Sequence, residues 1–120
     1  MTTAYLSVTP DTTAEMAVTR LREEAPNLKI IYYIYVVTKE NMLQGVVSIK
    51  RLLTAQSHQS LAEIPAERLI SVTPEANYQE VFEVFGKYKF QALPVLDEGN
   101  HLKGVIPLQS LLDILLPRIR

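Results

Sequence analysis

Cysteine is absent from the 120 residues, which excludes disulfides, thiolate nucleophiles and Cys-based zinc sites. Glycine is scarce, with four in all, so a dinucleotide-binding fingerprint with its three closely spaced glycines is out of reach. No apolar run approaches the roughly 20 residues that span a bilayer, and Met1-Thr2-Thr3-Ala4 lacks the charged and apolar regions of a signal peptide. Neither sign of charge dominates: twelve Lys and Arg stand against thirteen Asp and Glu. The basic residues are scattered apart from Lys50-Arg51, so no phosphate-tracking surface for nucleic acid is expected. There is also no nucleophile paired with a base and a supporting group, and no metal-ligand spacing. His58 and His101 are isolated and read as loop residues, and Asp97-Glu98 as a solvated hairpin. The chain reads as a soluble, cytoplasmic non-enzyme with no direct membrane insertion.

What is present is a repeat. Ser7-Val8-Thr9-Pro10 recurs as Ser71-Val72-Thr73-Pro74, 64 positions on. Leu43-Gln44-Gly45-Val46 matches Leu102-Lys103-Gly104-Val105, and Leu52-Leu53 matches Leu111-Leu112, both 59 positions apart. The first copy therefore carries five extra residues, placed most simply around Ala25 to Lys29.

Both copies have the same local grammar. An extended segment, Tyr5 to Val8 or Leu69 to Val72, stops at a proline that cannot donate to a sheet ladder. Thr12 with Glu15, and Asn77 with Glu80, have capping-box spacing for a following helix. Ala14, Ala17 or Val18, Leu21 and Ala25 then recur at helical intervals, as do Val81, Val84, Phe85 and Tyr88. The β-branched and aromatic run Ile30 to Val37 favours a strand, with Ala92 to Leu96 as its counterpart. Lys39-Glu40-Asn41 and Asp97-Glu98-Gly99-Asn100 are turns. Gly45-Val46-Val47 and Gly104-Val105-Ile106 form the third strand. A closing helix presents Ile49, Leu52 and Leu53, or Leu108, Leu111, Leu112 and Leu115.

Each copy is thus β-α-β-β-α. About 60 residues bury too little apolar surface to stand comfortably alone, so the copies are expected to pack sheet against sheet. The expected division is 1–56 for the first domain, 57–68 for a linker, 69–116 for the second domain and 117–120 for a tail. Thr54 to Pro65 reads as a polar connection. Alternation sends Tyr33 and Tyr35 to one sheet face and Tyr32 to the other. Aromatic packing in the sheet or dimer core is the expected role of these rings, with a pocket for a base the alternative.

The segments Gly45-Val46-Val47-Ser48-Ile49-Lys50-Arg51 and Gly104-Val105-Ile106-Pro107-Leu108-Gln109-Ser110 resemble the Gly-apolar-apolar-Thr/Ser-x-x-Asp signature of CBS domains. The resemblance covers nearly the whole chain. Ile31-Tyr32-Tyr33-Ile34-Tyr35-Val36-Val37, with Ala25-Pro26 and Gly45-Val46-Val47-Ser48, is similar to the first CBS domain of MgtE-type magnesium transporters. Lys87-Tyr88-Lys89-Phe90 and Leu93-Pro94-Val95 are similar to the same family in the second copy.

The implied fold class is α+β, two CBS repeats of β-α-β-β-α packed with pseudo-twofold symmetry, a Bateman module. The implied function is a regulatory module of a magnesium or other divalent-cation transporter, or of a transporter-like protein. Such a module senses an adenine nucleotide (AMP, ADP or ATP) or Mg²⁺ and transmits binding through rearrangement of a homodimer. It belongs to, or docks on, a membrane cation transporter. The alternative is a degenerate pair that serves only dimerisation or protein docking. The dimer face is expected to include Leu115, Leu116 and parts of Val81 to Tyr88.

The ligand residues implied are Tyr33, Ser48, Arg51, Thr73, Phe90, Ala92, Pro94 and Ser110, with Phe90 the candidate to stack on a base. In the family pattern the hydroxyl residue contacts phosphate and the aspartate accepts from ribose hydroxyls. Arg51 and Ser110 replace that aspartate here, and Arg51 can only donate. Pro107 removes the hydroxyl from the second copy, leaving Ser48 in the less altered cleft. For magnesium, which favours oxygen ligands, the positions matching the family's acidic residues read Asn77, Gln79, Lys89 and Ser110. Only Asp113 remains acidic as a metal candidate.

Overall fold

A computed structural model describes residues 1–115. Copy one runs β1 (Ser7–Val8), α1 (Ala14–Glu24), a 3-10 turn (Ala25–Asn27), β2 (Tyr33–Val37), β3 (Leu43–Ser48) and α2 (Ile49–Thr54). After a second 3-10 turn (Leu61–Glu63), copy two runs α3 (Tyr78–Lys87), β4 (Ala92–Leu96), β5 (Leu102–Pro107) and α4 (Leu108–Leu115). The five inserted residues of copy one are the 3-10 turn at Ala25–Asn27 and its exit, with Pro26 near its start, where its missing N–H costs nothing.

The sheets repeat each other in register. β2 and β3 are antiparallel with Tyr35 opposite Val46, and β4 and β5 are antiparallel with Pro94 opposite Val105. Each hairpin is irregular at the same place, between Val36 and Val37 and between Val95 and Leu96. All five residues of β2, and all five of β4, are buried. Strands sealed on both faces lie in the middle of a layered fold, with their own helices on one side and the other copy on the other.

Ile34 and Val36 face α1 and α2, packing with Leu6, Val8, Ala14, Ala17 and Leu52. Leu93 and Val95 face α3 and α4, packing with Val81, Phe85 and Leu111. The alternate residues Tyr33, Tyr35, Val37, Leu43 and Val46 meet Ala92, Leu96, Leu102 and Val105 in a layer between the sheets. Tyr33 and Tyr35 therefore share a face, as their spacing predicts, while Tyr32 lies exposed.

Reciprocal backbone bonds mark the twofold. Leu43 N–H donates to the Asn100 carbonyl at 3.0 Å and Leu102 N–H donates to the Asn41 carbonyl at 3.0 Å. These are the same positions in the two copies. Asn41 and Asn100 both hold left-handed backbone, with φ of 67° and 64°, a conformation asparagine tolerates better than most side chains. The lead-in to each copy also crosses to the other. Glu67 N–H donates to Val46, and Thr2 pairs with Val105 through two bonds of 2.8 and 2.9 Å. Gly104 permits that approach, since a Cβ there would stand 3.2 Å from the Thr2 carbonyl oxygen.

Several expectations need correction. The cap of α1 is Thr13, whose hydroxyl accepts from Met16 N–H, while Thr12 instead meets Thr9. Asn77 does cap α3, accepting from Glu80 N–H at 2.9 Å. Strand β2 starts at Tyr33 rather than Ile30, because Lys29 and Ile30 turn to donate to Ala4. The extended segment Leu69 to Val72 shrinks to one parallel bridge, Val72 with Val95. In copy one Tyr35 N–H donates to Leu6 at 3.0 Å; its counterpart Pro94 has no N–H to give Ile70. The connection after α2 is not merely polar, since Leu61 and Ile64 enter the copy-one core. Leu116, the side chain of Leu115 and the expected tail 117–120 lie outside the described residues.

Tyr35 is fully buried, and its hydroxyl has no hydrogen-bond partner among the described residues. Its ring meets Tyr5 edge-on with centroids 5.4 Å apart. Burial holds this phenol neutral, well above its ordinary range. An unpaired buried hydroxyl costs about 1–3 kcal/mol, so Tyr35→Phe is expected to raise stability, or leave it unchanged, in urea unfolding. A loss above about 1 kcal/mol would mean that the hydroxyl has a partner such as buried water.

Candidate functional site

The strand-to-helix corner of copy one opens a cleft of about 600 Å³. Ser48 ends β3 and caps α2, its hydroxyl oxygen accepting from Arg51 N–H at 3.1 Å. That bond leaves the serine O–H free to donate. Lys50 and Arg51 follow on the first turn of α2 and line the cleft, as do exposed Tyr32 and buried Tyr33. Ile49 N–H donates to the Tyr32 carbonyl at 2.9 Å, fixing the corner, and copy two repeats it with Leu108 N–H to Gln91.

Copy two and its lead-in also line the cleft. Gln91 reaches the cleft, and its N–H donates to the Tyr33 hydroxyl at 3.1 Å. Burial raises the Tyr33 phenol above its usual range, opposed by that bond. Glu67, from the crossing lead-in, faces Arg51 with 4.0 Å between Oε2 and Nε. This loose pair is partly exposed and contributes little to stability. The polar wall is thus mostly donors, and Glu67 is the carboxylate among its lining residues.

A narrow crevice adjoins the cleft, sharing Tyr33 and Glu67 and lined by Phe90, Ala92 and Pro94. Phe90 is half-buried and stacks on Tyr88 with centroids 6.1 Å apart. Arg68 lines the same crevice and lies over the other ring of that stack, 5.1 Å from the Tyr88 centroid. Six of the residues implied by the sequence thus gather in one region: Tyr33, Ser48 and Arg51 with Phe90, Ala92 and Pro94. Thr73 and Ser110 do not join them, and line a separate groove of about 300 Å³ on copy two.

Asp113 is exposed on α4 and accepts from Gln109 at 3.1 Å. Among the described residues no three His, Cys, Asp or Glu side chains come together to hold a metal ion. Asp97 instead organises its own hairpin, accepting from Gly99 and His101 backbone N–H groups and meeting the His101 ring at 3.0 Å. The bond from His101 N–H is the main cause holding this carboxyl below its usual range. His101 is therefore a partnered turn residue rather than a purely solvated one.

Sequence reasoning missed Glu67, Arg68 and Gln91, since Glu67 and Arg68 arrive through the exchange of lead-ins and Gln91 through the packing of the two sheets. Lys50 was visible as part of the one basic pair, without a role.

With this geometry in view, comparison with known proteins identifies the class. A family model for the CBS domain matches residues 1–58 and again 61–117, and the chain belongs to the CBS-domain family. It is 36% identical over 115 residues to the magnesium transporter MgtE of Thermus thermophilus, covering 96% of this chain and 26% of the transporter. It is 34% identical to the MgtE of Enterococcus faecalis, covering 96% of this chain and 25% of that one. The chain spans about a quarter of the length of these relatives. A crystal structure of the cytosolic domain of the Mg²⁺ channel MgtE in complex with ATP superposes with a TM-score of 0.87 at 33% identity. That match covers 92% of this chain and 45% of the other. Among the described residues no helix is long and apolar enough to cross a membrane.

The two roles of Ser48 can be separated. Replacing an N-cap serine by alanine costs about 1 kcal/mol, so Ser48→Ala should lower stability by that order in denaturant unfolding, whereas Ser48→Asp should keep the cap. If Ser48→Ala is silent, the α2 cap does not hold the corner of the cleft.

Proposed function

We propose that this chain is a cytoplasmic regulatory CBS pair of a magnesium or other divalent-cation transporter, or of a transporter-like protein, and that its copy-one cleft takes an adenine nucleotide. The observation that carries the reading is one cleft lined by two cations, Lys50 and Arg51, together with an exposed aromatic residue, Tyr32. Phosphates pair with guanidinium and ammonium groups, and a ring face accepts a base by stacking. Phe90 offers a second ring beside the crevice. Ser48 donates its free O–H to a phosphate oxygen. A relative of similar fold, the MgtE cytosolic domain, has been crystallised with ATP, which supports the ligand class.

The ribose is held differently from the family pattern, because Arg51 stands where a diol-binding carboxylate is expected. Binding is transmitted by rearrangement of a homodimer. Support for that face comes from exposed Met16 and Leu53 on the helices of copy one and exposed Phe82 and Leu112 on those of copy two. Leu53 and Leu112 occupy equivalent positions, so the module offers two similar apolar faces to a second copy.

A second reading has its own support. Arg51 faces Glu67 across the cleft, and an internal pair there competes with any ligand. On that reading the module is a dimerisation or docking element without a small molecule.

Isothermal titration with AMP, ADP, ATP and MgCl₂ alone separates the two. The nucleotide reading predicts affinity rising with phosphate number and a stability gain of about 2.7 kcal/mol at 100 times the dissociation constant. Arg51→Ala should weaken ATP by about ten- to a hundredfold, the worth of one charged hydrogen bond. No heat and no thermal shift with any nucleotide would leave the docking reading.

A further inference from the structure

The two strand-helix corners share a backbone but not their charges. Ile49 N–H donates to Tyr32 in copy one and Leu108 N–H donates to Gln91 in copy two, each at 2.9 Å. Lys50 and Arg51 stand in copy one where Gln109 and Ser110 stand in copy two, and Glu67 of the crossing lead-in corresponds to Thr3. The frame therefore forms without these charges. Nor do they hold it together, since Arg51 and Glu67 meet loosely at 4.0 Å, with side chains 53% and 29% exposed. Charges that the fold does not require are available to a ligand.

The donors and acceptors of the cleft discriminate between ligands. The Ser48 hydroxyl oxygen accepts from Arg51 N–H and the Tyr33 hydroxyl oxygen from Gln91 N–H, both at 3.1 Å, so each keeps an O–H to give. The Lys50 and Arg51 side chains only donate. Arg68 adds a third cation in the adjoining crevice. Among the described residues lining cleft and crevice, Glu67 is the single carboxylate, and it faces Arg51. A ribose with both hydroxyls unmodified brings two more donors, and its charged acceptor would be the same Glu67. A ribose carrying a phosphate instead brings acceptor oxygens and negative charge, which the planar fork of an arginine takes two at a time. Dinucleotide sites make the same choice: a carboxylate selects free ribose hydroxyls, and an arginine a phosphate in their place.

We propose that the copy-one cleft selects an adenine nucleotide phosphorylated on its ribose, at the 2′ or 3′ position, as well as at the 5′ position. The inference rests on the nucleotide reading above and adds a role for each donor. Arg51 takes the ribose phosphate, exchanging Glu67 for it on binding, while Ser48 and Lys50 hold the 5′-phosphate.

Isothermal titration of this chain compares adenosine 2′,5′-bisphosphate and adenosine 3′,5′-bisphosphate with ADP, which has as many phosphates, and with ATP, which matches their charge. One bisphosphate should bind at least about tenfold more tightly than ADP and ATP, and the 2′ and 3′ arms decide the position. Arg51→Asp should reverse that order, because a carboxylate accepts from the free diol of ADP and repels a ribose phosphate. Arg51 is exposed, so an unchanged melting temperature shows that the variant has folded. Glu67→Gln should tighten the preferred bisphosphate by up to about fivefold, by releasing Arg51. ADP or ATP binding as tightly as both bisphosphates would overturn the inference and leave the nucleotide reading standing. An unchanged order in Arg51→Asp would do the same, as would equal binding of tripolyphosphate, which has no ribose. Absence of heat with all four nucleotides would overturn the nucleotide reading itself, and this inference with it.

Discussion

The apolar layer between the two sheets is the contact on which the rest of the molecule depends. Tyr33, Tyr35, Val37, Leu43 and Val46 present one surface, and Ala92, Leu96, Leu102 and Val105 the other. Neither copy can bury its sheet alone, because its helices cover only one face. Joining the sheets closes the second face of both, at roughly 25 cal/mol per Å² of apolar area removed from water. It also brings Gln91 and Glu67 to the corner where Ser48 and Arg51 begin α2. The cleft is therefore a product of the pairing rather than of either copy. Reciprocal bonds between Leu43 and Asn100 and between Leu102 and Asn41 fix the register of that pairing.

Much of this architecture was legible because a repeat constrains itself. Ser-Val-Thr-Pro and the Leu-x-Gly-Val segments implied two like units, and the β-branched and aromatic run at β2 implied a strand. What escaped the sequence depended on contacts between distant segments. Pro94 looks like an ordinary edge residue until Tyr35 is seen donating to Leu6; then it explains why Val72 keeps only one bridge. Leu61 and Ile64 sit among Ser, Gln, Ala and Glu, and their burial follows only from where the linker crosses α1. Thr12 and Thr13 are equally good caps by composition, and Thr9 decides between them by engaging Thr12. The site was legible in part for the same reason. Residues of one strand-helix corner could be grouped from the signature, but Thr73 and Ser110 line the helix-side groove.

The two copies have kept a frame and changed its contents. Ser48 and Arg51 at one corner correspond to Pro107 and Ser110 at the other, so cationic groups and the capping hydroxyl belong to copy one. Small Ala14 and Ala17 admit the linker on copy one, while Tyr78 and Val81 stand at the equivalent positions on copy two. A duplicated fold that stays paired through its sheets can vary its corners and outer faces while the layer between the sheets is kept.

Native-state hydrogen exchange at the Leu43 and Leu102 amides tests the pairing most directly. If the inter-sheet layer holds both copies as one cooperative unit, the two amides open with the same free energy, equal to that of global unfolding, and respond alike to denaturant. Contradiction would come from one of them exchanging through a smaller opening while the other copy stays protected, for then the copies fold independently and their contact does not govern the structure.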